Sequence, residues 1–543
     1  MDFESRHLLE ELKDNISKND IIKARIVLSY LGQADKDVQK KLVNLLEQAE
    51  PAFAVELLTE LIQKNESITM NIPEVRSVLI SKSLEQPEIL LKTIRDHVEP
   101  RDLFINIAAE ARVDGAPQVL LEILASELDE KVLKEAILGL GILAYPGATN
   151  AVSEFLYSNS KSLTLEAVKT LGRIGTPSAV QRLAEKMGSD HQIDILILDV
   201  FSQIQDQTSL NKLNLTLGSH FAHLRNYAKA KLIRIGPKAV PMLGDNLFSD
   251  DPDLQIHTLN VLGSIGDASA LVPIRKLLNQ EPSDSNVRFA AYETLGQLPL
   301  DKGSYILARG LTDREEHICV AAASAIDRNL NEVLVAGVKN MVRQRSHEAV
   351  KIVRAVISSQ SKNLFMALID IPVFQEIAMS YLSKNTAPDL RDYFQSLLQK
   401  YGYLNLAAEM IEETGAEQKR PLAAAVDDSK MILSIYKNTL YEMGFEPVLF
   451  EFPRKAMEWF RNNKPHIIFT DLNMPDMTGI DLIAGIREIY PGDELPVIMV
   501  TTQNETQDND DARKAGVTDI IFKPFSRETL GEVSDKYLGQ GRG

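Results

Sequence analysis

The chain has 543 residues, 59 basic against 76 acidic side chains, a formal net charge of −17 and one cysteine. This length exceeds what one hydrophobic core usually fills, so more than one domain is expected, and the lone Cys319 excludes an intramolecular disulfide framework. The acidic balance argues against general nucleic-acid affinity. With no apolar stretch of the roughly 18–20 residues that span a bilayer, and no secretory signal at Met1-Asp2-Phe3-Glu4-Ser5-Arg6, a cytoplasmic chain without nucleic-acid or membrane partners is expected.

Before residue 420 the apolar positions follow helical spacing. Leu140-Gly141, Leu171-Gly172, Phe201-Ser202, Leu232-Ile233, Leu262-Gly263, Leu295-Gly296 and Ile326-Asp327 recur at intervals of 31, 30, 31, 30, 33 and 31. A fixed period of this length marks stacked supersecondary units. In 167–180 and 258–271 the apolar run ends at Gly175 or Gly266, which can take a positive φ and close a helix, before Pro177 or an Ala-rich start opens the next. The pattern resembles HEAT repeats of the short bacterial type. The resemblance implies an all-α solenoid over 1–412, clearest over 130–345, with a helical cap over 360–412. Leu31-Gly32 and the pattern over 388–413 are read as divergent or capping units. Gly141, Gly172, Gly263 and Gly296 are expected to let neighbouring helices approach closely, and the solenoid to offer a surface for an unidentified downstream protein.

Other features of this region have plain readings. His220 and His223 form an H-x-x-H without a nearby cysteine or acidic third ligand, so metal binding is not expected of them. Two basic stretches, Arg225, Lys229, Lys231, Arg234 and Lys238, then Lys339, Arg343, Arg345, Lys351 and Arg354, are read as solvated helix faces. Cys319 is expected in the core.

Residues 413–420 read as a linker which, if flexible, reaches on the order of 15 Å, placing the C-terminal domain near the last solenoid helices. From 421 onward there are 13 basic and 20 acidic residues, a net of −7, which leaves −10 for the rest. Strands are predicted at Leu422–Val426, Glu446–Phe450, Ile467–Thr470, 495–500 and Asp519–Phe522, alternating with helices from near Ser429, Pro453, Asp481, Glu505 and Ser526. Such alternation predicts a parallel sheet covered on both faces. After Leu538 only five residues remain, so no DNA-binding output domain is expected beyond it.

The strand ends carry the chemistry. Asp427-Asp428, Asp471, Thr501-Thr502 and Lys523-Pro524 each succeed or close a predicted strand. An aspartate attacking a phosphoryl donor needs a hard cation, and Mg²⁺ takes oxygen ligands. Asp428, Asp471 and the backbone carbonyl of Asn473 are candidate ligands, Lys523 and Thr501 candidate partners of the phosphoryl oxygens, and an acyl phosphate on Asp471 the product.

With Met474-Pro475 and Gly479 after the acidic Asp471, and Phe525 after Lys523-Pro524, residues 421–540 resemble the receiver domain of two-component response regulators. The resemblance implies an α/β flavodoxin-like (βα)5 fold with a five-stranded parallel sheet. It also implies Asp471 as phosphoacceptor, Asp427 and Asp428 as the acidic pocket around Mg²⁺, Thr501 as switch hydroxyl, Lys523 as the site lysine, and a cis peptide before Pro524. Ile520 departs from the aromatic that receivers often carry there, which puts their aromatic output signal in doubt.

The expected protein is therefore multidomain: a solenoid over 1–412, a linker over 413–420 and a receiver over 421–540. It is expected to be a bacterial regulator rather than an enzyme, phosphorylated by a histidine kinase or phosphotransfer protein, with the solenoid as scaffold or output and possible phosphorylation-dependent homodimerisation. Two alternatives are a modifying activity of the solenoid gated by the receiver, and a phosphate sink for a shared kinase.

Overall fold

A computed structural model describes residues 3–188, 190–219, 221–300, 305–410, 420–474, 476–492, 494–501, 506–523 and 525–539. The chain divides into two compact units, Met1–Lys212 and Leu213–Gly543. The division falls within the repeats. The expected 413–420 linker lies almost wholly outside the described residues.

Met1–Lys212 is built of paired helices. The helix Lys161–Ile174 shows how the sequence makes one. Ser160 caps its start by accepting from Leu163 N–H, Leu163, Ala167, Val168, Leu171 and Ile174 form its buried stripe, and Gly175 at φ +62° ends it. Thr176 then caps the helix Pro177–Lys186, which starts on proline. Each leucine or isoleucine of such a stripe contributes about 1.5–3 kcal/mol on burial. Gly172 serves close packing: a Cβ there would lie 2.8 Å from the Val200 methyls.

The period seen in the sequence is the period of the first helix in each pair. All seven dipeptides lie in the last turns of Glu130–Ile142, Lys161–Ile174, His191–Ile204, Ala222–Ile235, Pro252–Ile265, Ser285–Gln297 and Glu316–Arg328. Leu31-Gly32 sits in a 3₁₀ turn, Leu31–Gln33. The pattern over 388–413 resolves into Pro388–Lys400 and Leu404–Glu409, broken where Gly402 turns the chain at φ +85°. Among the described residues no helix is long and apolar enough to cross a membrane.

In Leu213–Gly543 the helices are followed by a parallel sheet of β1 (Leu422–Val426), β2 (Glu446–Phe450), β3 (Ile467–Thr470), β4 (Val497–Thr501) and β5 (Asp519–Phe522), in the order β2-β1-β3-β4-β5. This is the expected flavodoxin-like order. β4 runs two residues later at its start than predicted, because Pro496 has no N–H for the ladder and joins only by accepting from Ile468 N–H at 3.0 Å. One face packs Ala424, Val426, Ile468, Val497 and Met499 against Phe460, Leu482, Ile483 and Ile486, with Ile520 at the edge of this core. On the other, Tyr436 approaches Phe469 and stacks on Phe525 with ring centroids 4.3 Å apart. Burial on both faces explains why these strands read as continuous apolar runs.

Candidate functional site

The sheet ladder itself assembles the site. Asp427, just past β1, donates its N–H to Phe450 O at 3.1 Å, and Asp471, just past β3, donates to Val426 O at 2.9 Å. Lys523, just past β5, donates its N–H to the carbonyl of Thr501, the buried last residue of β4, at 2.8 Å. Parallel strands that end together thus bring four of the expected residues to one edge. Lys523 Nζ lies 2.7 Å from Asp427 Oδ2 and 3.2 Å from Asp471 Oδ1, bridging both carboxylates. Ser429 N–H donates to Asp427 Oδ1 at 2.9 Å, fixing that side chain as the next helix begins. Pro475, Thr502, Gln503 and Pro524, with the expected cis bond before Pro524, lie outside the described residues.

Asp427, Asp428 and Asp471 place carboxylate oxygens within 4.8 Å of one another, the one such acidic or ligating trio among the described residues. Burial raises the Asp427 carboxyl, opposed by the Lys523 charge and aided by Asp471. Loss of bulk water around its carboxyl and the charges of Asp427 and Asp471 raise Asp428, although the residue itself is exposed. Burial works against the Lys523 ammonium, but Asp427 and Asp471 outweigh it and hold it above its ordinary range. Three crowded hard-oxygen donors with surplus negative charge suit Mg²⁺, so the residues present fit the cation that the sequence implied. His220 lies outside the described residues, and His223 is exposed and tilted against Phe221, with ring centroids 5.9 Å apart.

The repeats contribute to this edge in a way the sequence reading missed. Arg225, in the helix Ala222–Ile235, is only 1% exposed and donates from Nη2 to Asn473 Oδ1 at 3.1 Å. Asn286 Nδ2, in Ser285–Gln297, donates to Lys523 O at 2.6 Å, and Ser429 Oγ donates to Glu293 Oε1 at 3.0 Å. Burial raises the Glu293 carboxyl, which Ser429 and Lys523 partly offset. A cavity of about 670 Å³ lies between these groups, lined by Lys229, His257 and Glu293 from the repeats and by Asp428, Asp471 and Asn473.

The first basic stretch is therefore not one solvated face. Arg225 is buried on Asn473 and Lys229 lines the cavity, whereas Arg234 and Lys238 stay exposed. In the second stretch, Arg343 and Arg345 are exposed as expected, while Arg354 lies 3.7 Å from Glu442 and over the Tyr381 ring. The only advance signal was the four-residue spacing of Arg225 and Lys229 on one helix face. Cys319 is buried as expected, and burial pushes its thiol up to about 12.

Comparison with known proteins agrees with both halves of this description. Residues 423–534 match the response regulator receiver domain, and residues 117–196 and 240–327 match HEAT repeats. A chemotaxis protein CheY homolog of Campylobacter jejuni is 37% identical over 121 residues, 22% of this chain and 92% of its own length. CheY1 of Helicobacter pylori is 38% identical over 117 residues, 21% of this chain and 94% of its own. Among solved structures, chemotaxis protein CheY4 of Vibrio cholerae matches with 28% identity over 22% of this chain and 98% of its own, at a TM-score of 0.21. The chain belongs to the response regulator receiver family, with HEAT repeats preceding its receiver.

Proposed function

We propose that the protein is a cytoplasmic response regulator that takes a phosphoryl group on Asp471 from a histidine kinase or phosphotransfer protein, and that its solenoid, spanning 1–412, is the protein-binding output of the receiver at 421–540. The observation that carries this reading is Lys523 Nζ bridging Asp427 at 2.7 Å and Asp471 at 3.2 Å, at the carboxyl edge of the parallel sheet. An Asp471 carboxylate oxygen attacks the donor phosphorus; the new O–P bond forms as the P–N bond to a phosphohistidine breaks, and its electron pair stays on the imidazole nitrogen. Water attack on phosphorus later breaks the O–P bond and releases inorganic phosphate. Asp427, Asp428, Asp471 and the Asn473 backbone carbonyl would hold Mg²⁺. When bound, Mg²⁺ supplies positive charge against the crowded carboxylates and the phosphoryl oxygens. Lys523 holds a phosphoryl oxygen as a point charge and Thr501 donates its hydroxyl to another.

The added charge shifts the receiver between two arrangements that the repeats distinguish. Intact-mass measurement after incubation with acetyl phosphate tests the acceptor. One phosphoryl group is expected on the native chain, requiring Mg²⁺, and none on Asp471→Ala; equal gain by both chains would refute the assignment.

A further inference from the structure

The helix Ala222–Ile235 puts two cations where the receiver alone would leave a gap. Arg225 is anchored, with Nη1 on Ser219 O at 2.6 Å and Nη2 on Asn473 Oδ1 at 3.1 Å. Lys229, one turn further, lines the same 670 Å³ cavity as Asp428 and Asp471. Burial and the neighbouring Arg225 charge drive its ammonium down to about 8, while Asp428, Asp471 and Asp253 pull the other way. A half-buried ammonium beside a guanidinium is costly unless anions face it, and those acting on this one include Asp428 and Asp471 of the acceptor pocket. Phosphorylation of Asp471 would add about one negative charge and new acceptor oxygens on that side. The cavity falls in the size range of small-ligand sites, ample for a phosphoryl group. Asn286 on Lys523 O and Glu293 on Ser429 hold the receiver's other site segments to Ser285–Gln297, two repeats further on, so the cations are kept in register with the acceptor.

We propose that Lys229 is a ligand of the phosphoryl group on Asp471, so that the phosphoryl site is completed by a HEAT repeat and the repeats sense the group directly. The inference rests on Asp471 as acceptor. Lysine suits the task because its compact ammonium can track a phosphoryl oxygen without a fixed fork geometry. The Lys229 ammonium binds the group, whereas Arg225 acts through Asn473 and positions it.

The test uses the full chain with Mg²⁺ and beryllofluoride as the phosphoryl mimic, its affinity read by ¹⁹F NMR, together with the decay of the acyl phosphate by intact mass. Lys229→Met should weaken beryllofluoride about tenfold, the scale of one charge-assisted hydrogen bond, and shorten the acyl-phosphate lifetime. Lys229→Arg should recover most of the affinity, and Lys437→Ala, whose Asp389 ion pair lies outside the cavity lining, should match the native chain. Native and Lys229→Met chains with equal affinity and equal lifetime would overturn the inference while leaving Asp471 as acceptor. Loss in Lys229→Met that Lys229→Arg does not recover would reduce Lys229 to a packing role and also overturn it. A native chain that neither binds beryllofluoride nor gains a phosphoryl group would instead overturn the acceptor assignment, and this inference with it.

Discussion

The receiver and the repeats both depend on glycine at close approach, and the two regions use it for different ends. Gly296 lets Ser285–Gln297 lie against its neighbour: a Cβ there would meet Ala325 Cα and Cβ at 3.1 Å. Gly479 lies where a Cβ would come within 3.0 Å of Leu472 Cα and closer still to the carbonyl oxygen of Asp471. In the repeats, crowding sets only the spacing of helices, and a neighbouring unit can absorb some of it. In the receiver the crowded backbone belongs to the acceptor residue itself. Packing and chemistry are separable in one region and fused in the other.

This contrast gives its largest predicted effect in a pair of substitutions. Gly479→Ala should cost about 3 kcal/mol, at the upper end for overpacking, and abolish phosphoryl uptake, because Asp471 must move to admit the methyl group. Gly296→Ala should cost a similar or smaller amount yet leave uptake from acetyl phosphate within about twofold, since overpacking there strains only helix spacing. Urea unfolding with intact-mass uptake on both variants checks this. A Gly479→Ala chain that still takes up phosphate would break the contrast.

The next effect is on metal affinity. Asp427 and Asp428 are both held above the ordinary carboxylate range, so the pair gains protons as the pH falls from 8 to 6. Protons compete with the cation for these carboxylates, so Mg²⁺ binding should weaken from pH 8 to pH 6. Calorimetric titration at the two pH values, repeated with Asp428→Asn, should show a shallower slope in the variant, the remainder coming from Asp427. The smallest effect is expected at the rim of the contact between receiver and repeats. There Lys437 pairs with Asp389, whose side chain is 59% exposed. Lys437→Ala should cost below about 1 kcal/mol in thermal unfolding, because exposed ion pairs gain little over solvation.

The same regions differ in how much their sequences disclosed. Asp427, Asp471, Thr501 and Lys523 were legible because each stands at the end of a short apolar run, and in a parallel sheet all such ends lie on one edge. The repeat period was legible because, within each of the two compact units, corresponding helices such as Glu130–Ile142 and Lys161–Ile174, or Pro252–Ile265 and Ser285–Gln297, pack on one another. The role of Arg225 was not, since its partner Asn473 is 248 residues away. Helical periodicity tells which side chains share a face, but which segment covers that face depends on tertiary contacts that no local pattern encodes. The expected seat of the receiver was incomplete for the same reason: a short tether constrains its distance from the last helices, whereas Arg225, Asn286 and Glu293 reach it from repeats far earlier in the chain.

Hydrogen–deuterium exchange on the full chain, with Mg²⁺ and with or without beryllofluoride, tests most directly whether the repeats sense the phosphoryl state. The account predicts altered protection in Ala222–Ile235 and Ser285–Gln297 together with the ends of β1, β3 and β5, all lost in Asp471→Ala. Changes confined to 420–539, with both repeat helices unaffected, would contradict it.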